Sequence, residues 1–310
     1  MVVKDLTEGA MRLPDIQNSK PKIQRTIRQV GVEGVVVPFS LELKSGGFKS
    51  MVAEVSMRTN IDADVKGISM SRLIRTLRKY LDLPLKKDLI REILSDLLTN
   101  VGSTKSYMRF DFLLPIPRQS ALSGYEFPIF HKCSFEGHLI SHEEGGNKTA
   151  LGHKTGNYSI REFRFFQGVR VQYASYCPCS AELCSDLNSK GQRGFPHAQR
   201  SFAHVVTEKD TSGTHYVWLE DLVEAVERAI RTIPYPIIKR EDEQEIARIA
   251  GENPIFVEDA IRAISDQLDA IPGVCDWVVK CIHEESIHTS EAIAVNWKGI
   301  DDGFNYRYFL

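Results

Sequence analysis

The sequence predicts an α+β fold in two tandem modules, each an antiparallel sheet with paired helices on one face. Three observations predict it. The first half passes from alternating strand patterns to helical spacing and back, in the order β-β-α-α-β-β. The second half runs through the same order, although no residue-level repeat marks it. Hydrophobic content of 42% and charged content of 26% suit a chain that buries a core. With 310 residues there is room for two modules of ordinary size. The expected division is an arm over 1–25, a first module over 26–157 and a second over 158–310.

Residues 1–25 are polar, with Pro14 and Pro21, and read as an arm that orders against a partner. From 26 to 43 the text is β-rich, through Ile27, Val30, Val32, Val35, Val36, Val37 and Phe39. Gly46-Gly47 signals a hairpin turn, and residues 51–58 alternate as a half-buried strand should. Ser69 or Ser71 can cap a helix whose apolar face is Leu73, Ile74, Leu77 and Leu81. Leu89, Ile90, Ile93, Leu94, Leu97 and Leu98 repeat at the spacing of a second helix. Strands follow at 106–114 and 127–140, with a turn around Gly145-Gly146.

The second half opens on a long β run over 158–174, with Phe163, Phe165, Val169, Val171 and Tyr173 on one alternation. Residues 185–196 are polar and contain glycine, so they read as a loop, and 200–207 as a strand. Residues 219–230 form an amphipathic pattern that Pro234 and Pro236 should end. A helix from about 254 to 268 carries Phe256, Ile261, Ile264 and Leu268, and strands at 277–282 and 292–297 close the chain.

The whole-chain quantities exclude several classes. A net charge of −2 argues against a protein devoted to nucleic acid. No stretch approaches the roughly 20 apolar residues of a membrane span, and Met1-Val-Val-Lys-Asp5 is unlike a signal peptide. Six cysteines are too few for a disulfide scaffold of this length and read as reduced thiols in the cytoplasm.

The chemistry gathers in three places: Ser175-Tyr-Cys-Pro-Cys-Ser180, Lys239-Arg-Glu-Asp-Glu243 and His283-Glu-Glu-Ser-Ile-His288. Thiolate, carboxylate and imidazole together suit a borderline-soft divalent metal. Cys177 and Cys179 are separated by one residue rather than the two to four of a structural zinc knuckle. Ligands scattered so widely in sequence suit a catalytic site with an open position. Spacing does not choose between Cys177 and Cys179, nor between Asp242 and Glu243. Glu285 precedes His288 by about one turn, where a carboxylate can act on a metal-bound water or orient the imidazole. His131, His138, His142, His153, His204, His215 and His283 read as surface or packing residues. Lys66, Ser71 and Arg72 lie beside Gly67 at a helix start, a place that can hold phosphate. Arg200, Lys239 and Arg240 are further cations for a triphosphate. No GxxxxGK[ST] loop is present, which excludes a P-loop enzyme that cleaves the β–γ bond.

Six pieces in order, Lys66-Gly-Ile-Ser-Met-Ser-Arg72, Cys177-Pro-Cys-Ser180, His197-Ala-Gln-Arg-Ser201, Lys239-Arg-Glu-Asp-Glu243, Phe256-Val-Glu-Asp259 and Glu285-Ser-Ile-His288, resemble GTP cyclohydrolase type IB. The resemblance implies the tunnelling fold, in tandem modules assembled as a homotetramer. It implies metal ligation by Cys177, Glu243 and His288, with His197 a ligand or an acid/base and Glu285 beside them as a proton carrier. Zinc is the first candidate ion, with manganese and iron behind it. It implies that Glu258 anchors the guanine edge, where a carboxylate faces N–H donors. The implied reaction turns GTP and water into formate and 7,8-dihydroneopterin triphosphate, the first step of tetrahydrofolate biosynthesis. Two alternatives stand beside it: an archaeal-type enzyme giving a cyclic phosphate, and a purine- or pterin-binding protein of the same fold without turnover. Three departures mark this chain. Ser69 and Ser290 stand where the family often has His, and the stretch between Cys177 and His197 is longer than in shorter relatives.

Overall fold

A computed structural model describes residues 19–148, 154–213, 215–305 and 307–309. Its order is β1 (Ile27–Glu42), β2 (Phe48–Ile61), α1 (Met70–Arg78), α2 (Lys87–Val101), β3 (Lys105–Gln119) and β4 (Glu126–Lys148). There follow β5 (Lys154–Tyr176), α3 (Pro178–Ser189), β6 (Ala198–Lys209), α4 (Leu219–Ile230), α5 (Arg240–Glu252), α6 (Val257–Asp269), β7 (Val274–Glu284) and β8 (Ala292–Trp297). All eight strands form one antiparallel sheet in sequence order, so the halves are joined through the β4–β5 ladder. Of the N-terminal arm expected over 1–25, residues 1–18 lie outside the described residues.

Strand alternation decides which face is covered. Val55, Met57, Met108, Leu114, Leu139, Val171, Val205 and Val279 belong to one alternation and are buried beneath the helices. Leu73 and Leu77 of α1, Ile90, Ile93, Leu94 and Leu97 of α2, Leu222 and Val226 of α4, and Ile264 and Leu268 of α6 close that core. Among the described residues, the opposite face carries no helix. Over β4–β7 it is partly covered by the C-terminal residues, where Phe304 packs on Phe166 and Val278. Buried Asp276 holds that segment by accepting from the backbone N–H groups of Gly299 at 2.8 Å and Phe304 at 2.7 Å. No helix among the described residues is long and apolar enough to cross a membrane.

The α+β class and the strands of the first half match the sequence pattern, including the Gly46-Gly47 turn with both residues at positive φ. Several details differ. The stretch 185–196 is helical through Ser189, because α3 begins with Pro178, whose fixed φ favours a first helical position. The charge run at 239–243 opens a further helix, α5. The second half therefore reads β-α-β-α-α-α-β-β. The chain around Gly145-Gly146 continues the β4–β5 hairpin, with a register shift between the Glu144 and Asn147 pairs. Helix α4 ends at Arg231, which takes a positive φ of 66°, before either proline is reached. Ile74, placed on the apolar face of α1, points to solvent.

Gly137 sets how closely α2 lies on the sheet. A Cβ there would come within 2.5 Å of Ile90 Cγ2 and 2.9 Å of Leu94 Cδ1. Gly137→Ala is expected to destabilise the protein by about 1–3 kcal/mol through overpacking, seen as a lower denaturant midpoint.

Candidate functional site

The candidate site lies where β5, β6 and β7 end together. The last β5–β6 pair is Tyr176 with Ala198, so Cys177 and His197 each lie one residue beyond the ladder. The last β6–β7 pair is Arg200 with Glu284, which brings Glu285 and His288 to the same end of the sheet. Cys177 becomes the N-cap of α3, and its carbonyl accepts from Ala181 N at 2.9 Å. Ile255 N donates to Tyr176 O at 2.9 Å, which fixes the start of α6 and with it Glu258.

These elements enclose a cleft of about 560 Å³, in the size range of small-molecule sites. Cys177, Cys179, His197, Glu258, Glu285 and His288 line it, all but Cys179 being expected site residues. Cys177 is half-buried and Cys179 exposed. Phe256, Ile287 and Leu183 supply apolar wall, and each is substantially exposed. His197 donates its backbone N–H to Ser180 Oγ at 3.4 Å. Its ring Nδ1 is buried without a hydrogen-bond partner, 3.9 Å from Glu285 Oε2. That separation is too long for a hydrogen bond.

Below the cleft the covered face of the sheet turns polar. Tyr173, Ser175, Gln199, Ser201 and His283 are buried where the alternation elsewhere supplies aliphatic groups. Ser175 Oγ donates to Gln199 Oε1 at 2.8 Å and lies 2.8 Å from Ser201 Oγ. Tyr173 Oη is 2.9 Å from His283 Nε2. Burial pushes the His283 imidazole down to about 4, outweighing the opposite pull of Glu285 and Glu258. His283 and Gln199 both line the cleft. Sequence reasoning placed His283 among the surface or packing residues. The available signal was its place on the Trp277, Val279, Cys281 alternation, which puts it at the cleft end of a buried stripe.

Other expected residues lie elsewhere. Glu243 is exposed on α5 and is not among the cleft-lining residues. Its rival Asp242 is buried in a structural role: it accepts from Lys239 N at 2.8 Å, Leu122 N at 2.8 Å, Ser123 N at 2.9 Å and the Ser123 hydroxyl. Lys66 Nζ bonds Ser19 Oγ, Ser71 Oγ meets Ser69 Oγ, and Arg72 donates to Asn100 O. Arg200 lies exposed on the helix-free alternation of β6. Lys239 Nζ sits 4.8 Å over the Tyr125 ring, and Arg240 is exposed at the start of α5. None of these cations lines the cleft of the single chain. Among the described residues, no three His, Cys, Asp or Glu side chains form a group that could hold a metal ion.

Fold and cleft together define a tunnelling-fold protein with thiol, imidazole and carboxylate groups around one cleft. The family model described as type I GTP cyclohydrolase FolE2 matches residues 13–294, and the chain belongs to that family. GTP cyclohydrolase FolE2 of Roseobacter denitrificans is 32% identical over 295 residues, covering 93% of this chain and 74% of the relative. That of Paracoccus denitrificans is 31% identical over 297 residues, covering 93% and 84%. Among solved structures, a uricase from Bacillus fastidious superposes with a TM-score of 0.52 at 9% identity, covering 87% of this chain and 93% of the uricase. That likeness concerns the fold alone.

Asp242 gives a pH prediction. Burial pushes its carboxyl up, but the bonds from Ser123 Oγ and from the Lys239, Ser123 and Leu122 backbones prevail and hold it well below the usual carboxylate range. A depressed folded-state value stabilises the fold fully above the unfolded value of about 3.9. The contribution fades as pH falls from there through the folded value. Asp242→Asn is expected to lower stability at neutral pH and to flatten its fall below about pH 4, measured by urea unfolding across that range. An acid limb equal to that of the parent protein contradicts this role.

Proposed function

We propose that the chain is a metal-dependent GTP cyclohydrolase of type IB, converting GTP and water into formate and 7,8-dihydroneopterin triphosphate at the head of tetrahydrofolate synthesis. The observation that carries the reading, in a chain of the FolE2 family, is the orphaned His197 Nδ1 beside Glu285, in one cleft with Cys177 and His288. A buried imidazole nitrogen without a partner is costly unless something binds it. The donor chemistry fits a borderline-soft divalent ion, zinc before manganese or iron. Cys177, His197 and His288 line the cleft without converging as a three-ligand group, so they would have to close on the ion to hold it, with Glu243 the further candidate ligand. When bound, such an ion supplies Lewis acidity that lowers the pKa of a water toward neutrality.

The chain's own residues supply the rest. Glu258, in the first turn of α6, accepts from the N–H donors of the guanine edge and fixes the ring. Glu285 or His197 carries protons while the two C–N bonds to C8 break and formate leaves. Phe256, Leu183 and Ile287 give the guanine ring an apolar wall to pack on.

A triphosphate needs cations, and Lys66, Arg72, Arg200, Lys239 and Arg240 stand outside the cleft of one chain. Self-association, as a homotetramer in the cytoplasm, is the arrangement we favour, because a neighbouring copy can bring such residues to the cleft. The sheet is suited to it. Strands β1 and β8 each have one edge without a partner strand among the described residues, and the helix-free face exposes Val36, Val52, Leu113 and Phe130.

Purified protein supplied with GTP and zinc or manganese is expected to release formate and a product that oxidises to a fluorescent pterin. A cyclic phosphate product, identified by mass, would favour the archaeal-type reaction, and no product at all a binding protein without turnover. Cys177→Ala is expected to lose bound metal and activity together, whereas Cys179→Ala keeps both. Full activity and metal content in Cys177→Ala would show that the other sulfur is the ligand.

A further inference from the structure

His283 is the deepest ionisable side chain of the cleft. It is 2% exposed, yet it lines the same space as Glu258 and Glu285. Strand β7 puts it there, because its alternation runs Trp277, Val279, Cys281, His283 on the covered face. Across the ladder it pairs with Ser201, whose hydroxyl bonds Ser175. Its ring meets the Tyr173 ring edge to face, with centroids 5.6 Å apart. The Tyr173 hydroxyl, itself buried, lies 2.9 Å from His283 Nε2. Packing and this hydrogen bond thus fix both the rotamer and the ring plane.

The hydrogen bond also sets the tautomer. The other polar group beside the Tyr173 hydroxyl is Cys281, whose thiol burial pushes up to about 12, so it stays protonated and is a poor acceptor; Tyr173 O–H donates instead to Nε2 of the neutral imidazole. The proton of the neutral ring then sits on Nδ1. Among the described residues Nδ1 has no hydrogen-bond partner, and it is not one of the buried unsatisfied atoms. The ring stays neutral at physiological pH, because burial outweighs the pull of both carboxylates that face it, Glu285 and Glu258. It therefore offers one fixed N–H donor and takes no part in proton transfer.

We infer that His283 is a substrate-recognition residue: its Nδ1–H donates to the six-position oxygen of guanine while Glu258 accepts from the adjacent N–H groups. This rests on the GTP reading above and deepens it. Guanine presents acceptor, donor, donor along that edge, and the pair offers donor beside acceptor. A 6-amino purine would set its own N–H against Nδ1–H, and a site with an unmet donor rejects it. Tyr173 acts through His283 as a positioning residue.

The test compares GTP with 6-thio-GTP, which keeps both N–H donors but replaces the oxygen by a weakly accepting sulfur. Binding to the full-length protein is read by titration calorimetry, which reports recognition whether or not turnover follows. The parent protein is expected to favour GTP by about tenfold. His283→Phe should reduce that preference to near unity, whereas His283→Asn, whose side-chain amide places an N–H close to the Nδ1 position, should keep most of it. An unchanged preference in His283→Phe, or none in the parent protein, overturns the assignment. If His283→Phe loses its thermal transition, Tyr173→Phe replaces it: a narrowed preference supports the assignment and an unchanged one overturns it. Binding with discrimination but no formate would sink the enzymatic reading and leave His283 in its role. Failure to bind GTP at all would sink both.

Discussion

The ladder through β5, β6 and β7 is the constraint on which the rest of the site depends. Antiparallel order brings the end of β5, the start of β6 and the end of β7 to one edge of the sheet. Cys177, His197 and Glu285 span more than a hundred residues of sequence, and this order gathers them. Register does the finer work. A slip of one residue would turn Tyr173, Ser201 and His283 from the covered face to the other and remove the floor of the cleft. The Ile255 to Tyr176 bond then ties α6 to the same edge, so Glu258 arrives with it.

The floor of that cleft departs from the chemistry of the rest of the covered face. Along most of the sheet the buried alternation is aliphatic or aromatic, and it carries the stability of the fold. At the cleft end the same alternation supplies hydroxyl, amide and imidazole groups. Burying such groups costs free energy unless they bond one another. Ser175, Gln199, Ser201, Tyr173 and His283 do so in two short chains. His197 Nδ1 is the exception, buried and unsatisfied at the wall.

Much of this was legible in the sequence, for physical reasons. Alternation and helical spacing gave β1–β4, α1, α2, α4, β7 and β8, because each has one apolar face and one polar face. Helix α5 was hidden because its residues are mostly charged and only Asp242 and Ala250 are buried. Its stabilising features are local: the Asp242 bond to Lys239 N, and the Arg248 pairs with Glu245 and Glu252. Helix α3 was hidden by weak amphipathicity, with Cys184 its one buried residue, although Pro178 marked its start. The ordered motifs pointed to Cys177, His197, Glu258, Glu285 and His288, all of which reach one cleft. His283 was legible only as a buried position at the end of its strand's alternation, since its Tyr173 partner lies 110 residues away. Among the phosphate candidates, Arg200, Lys239 and Arg240 were chosen by charge and Lys66, Ser71 and Arg72 by their place at a helix start, and neither feature says which cleft a surface residue faces.

Cobalt(II) loading of the metal-free protein tests the central claim most directly, that a thiolate of this cleft shares a divalent ion with its imidazoles. A near-ultraviolet sulfur-to-cobalt charge-transfer band at one equivalent, abolished by zinc, is the result the donor set predicts. Stoichiometric cobalt binding without that band, or no binding, would contradict it.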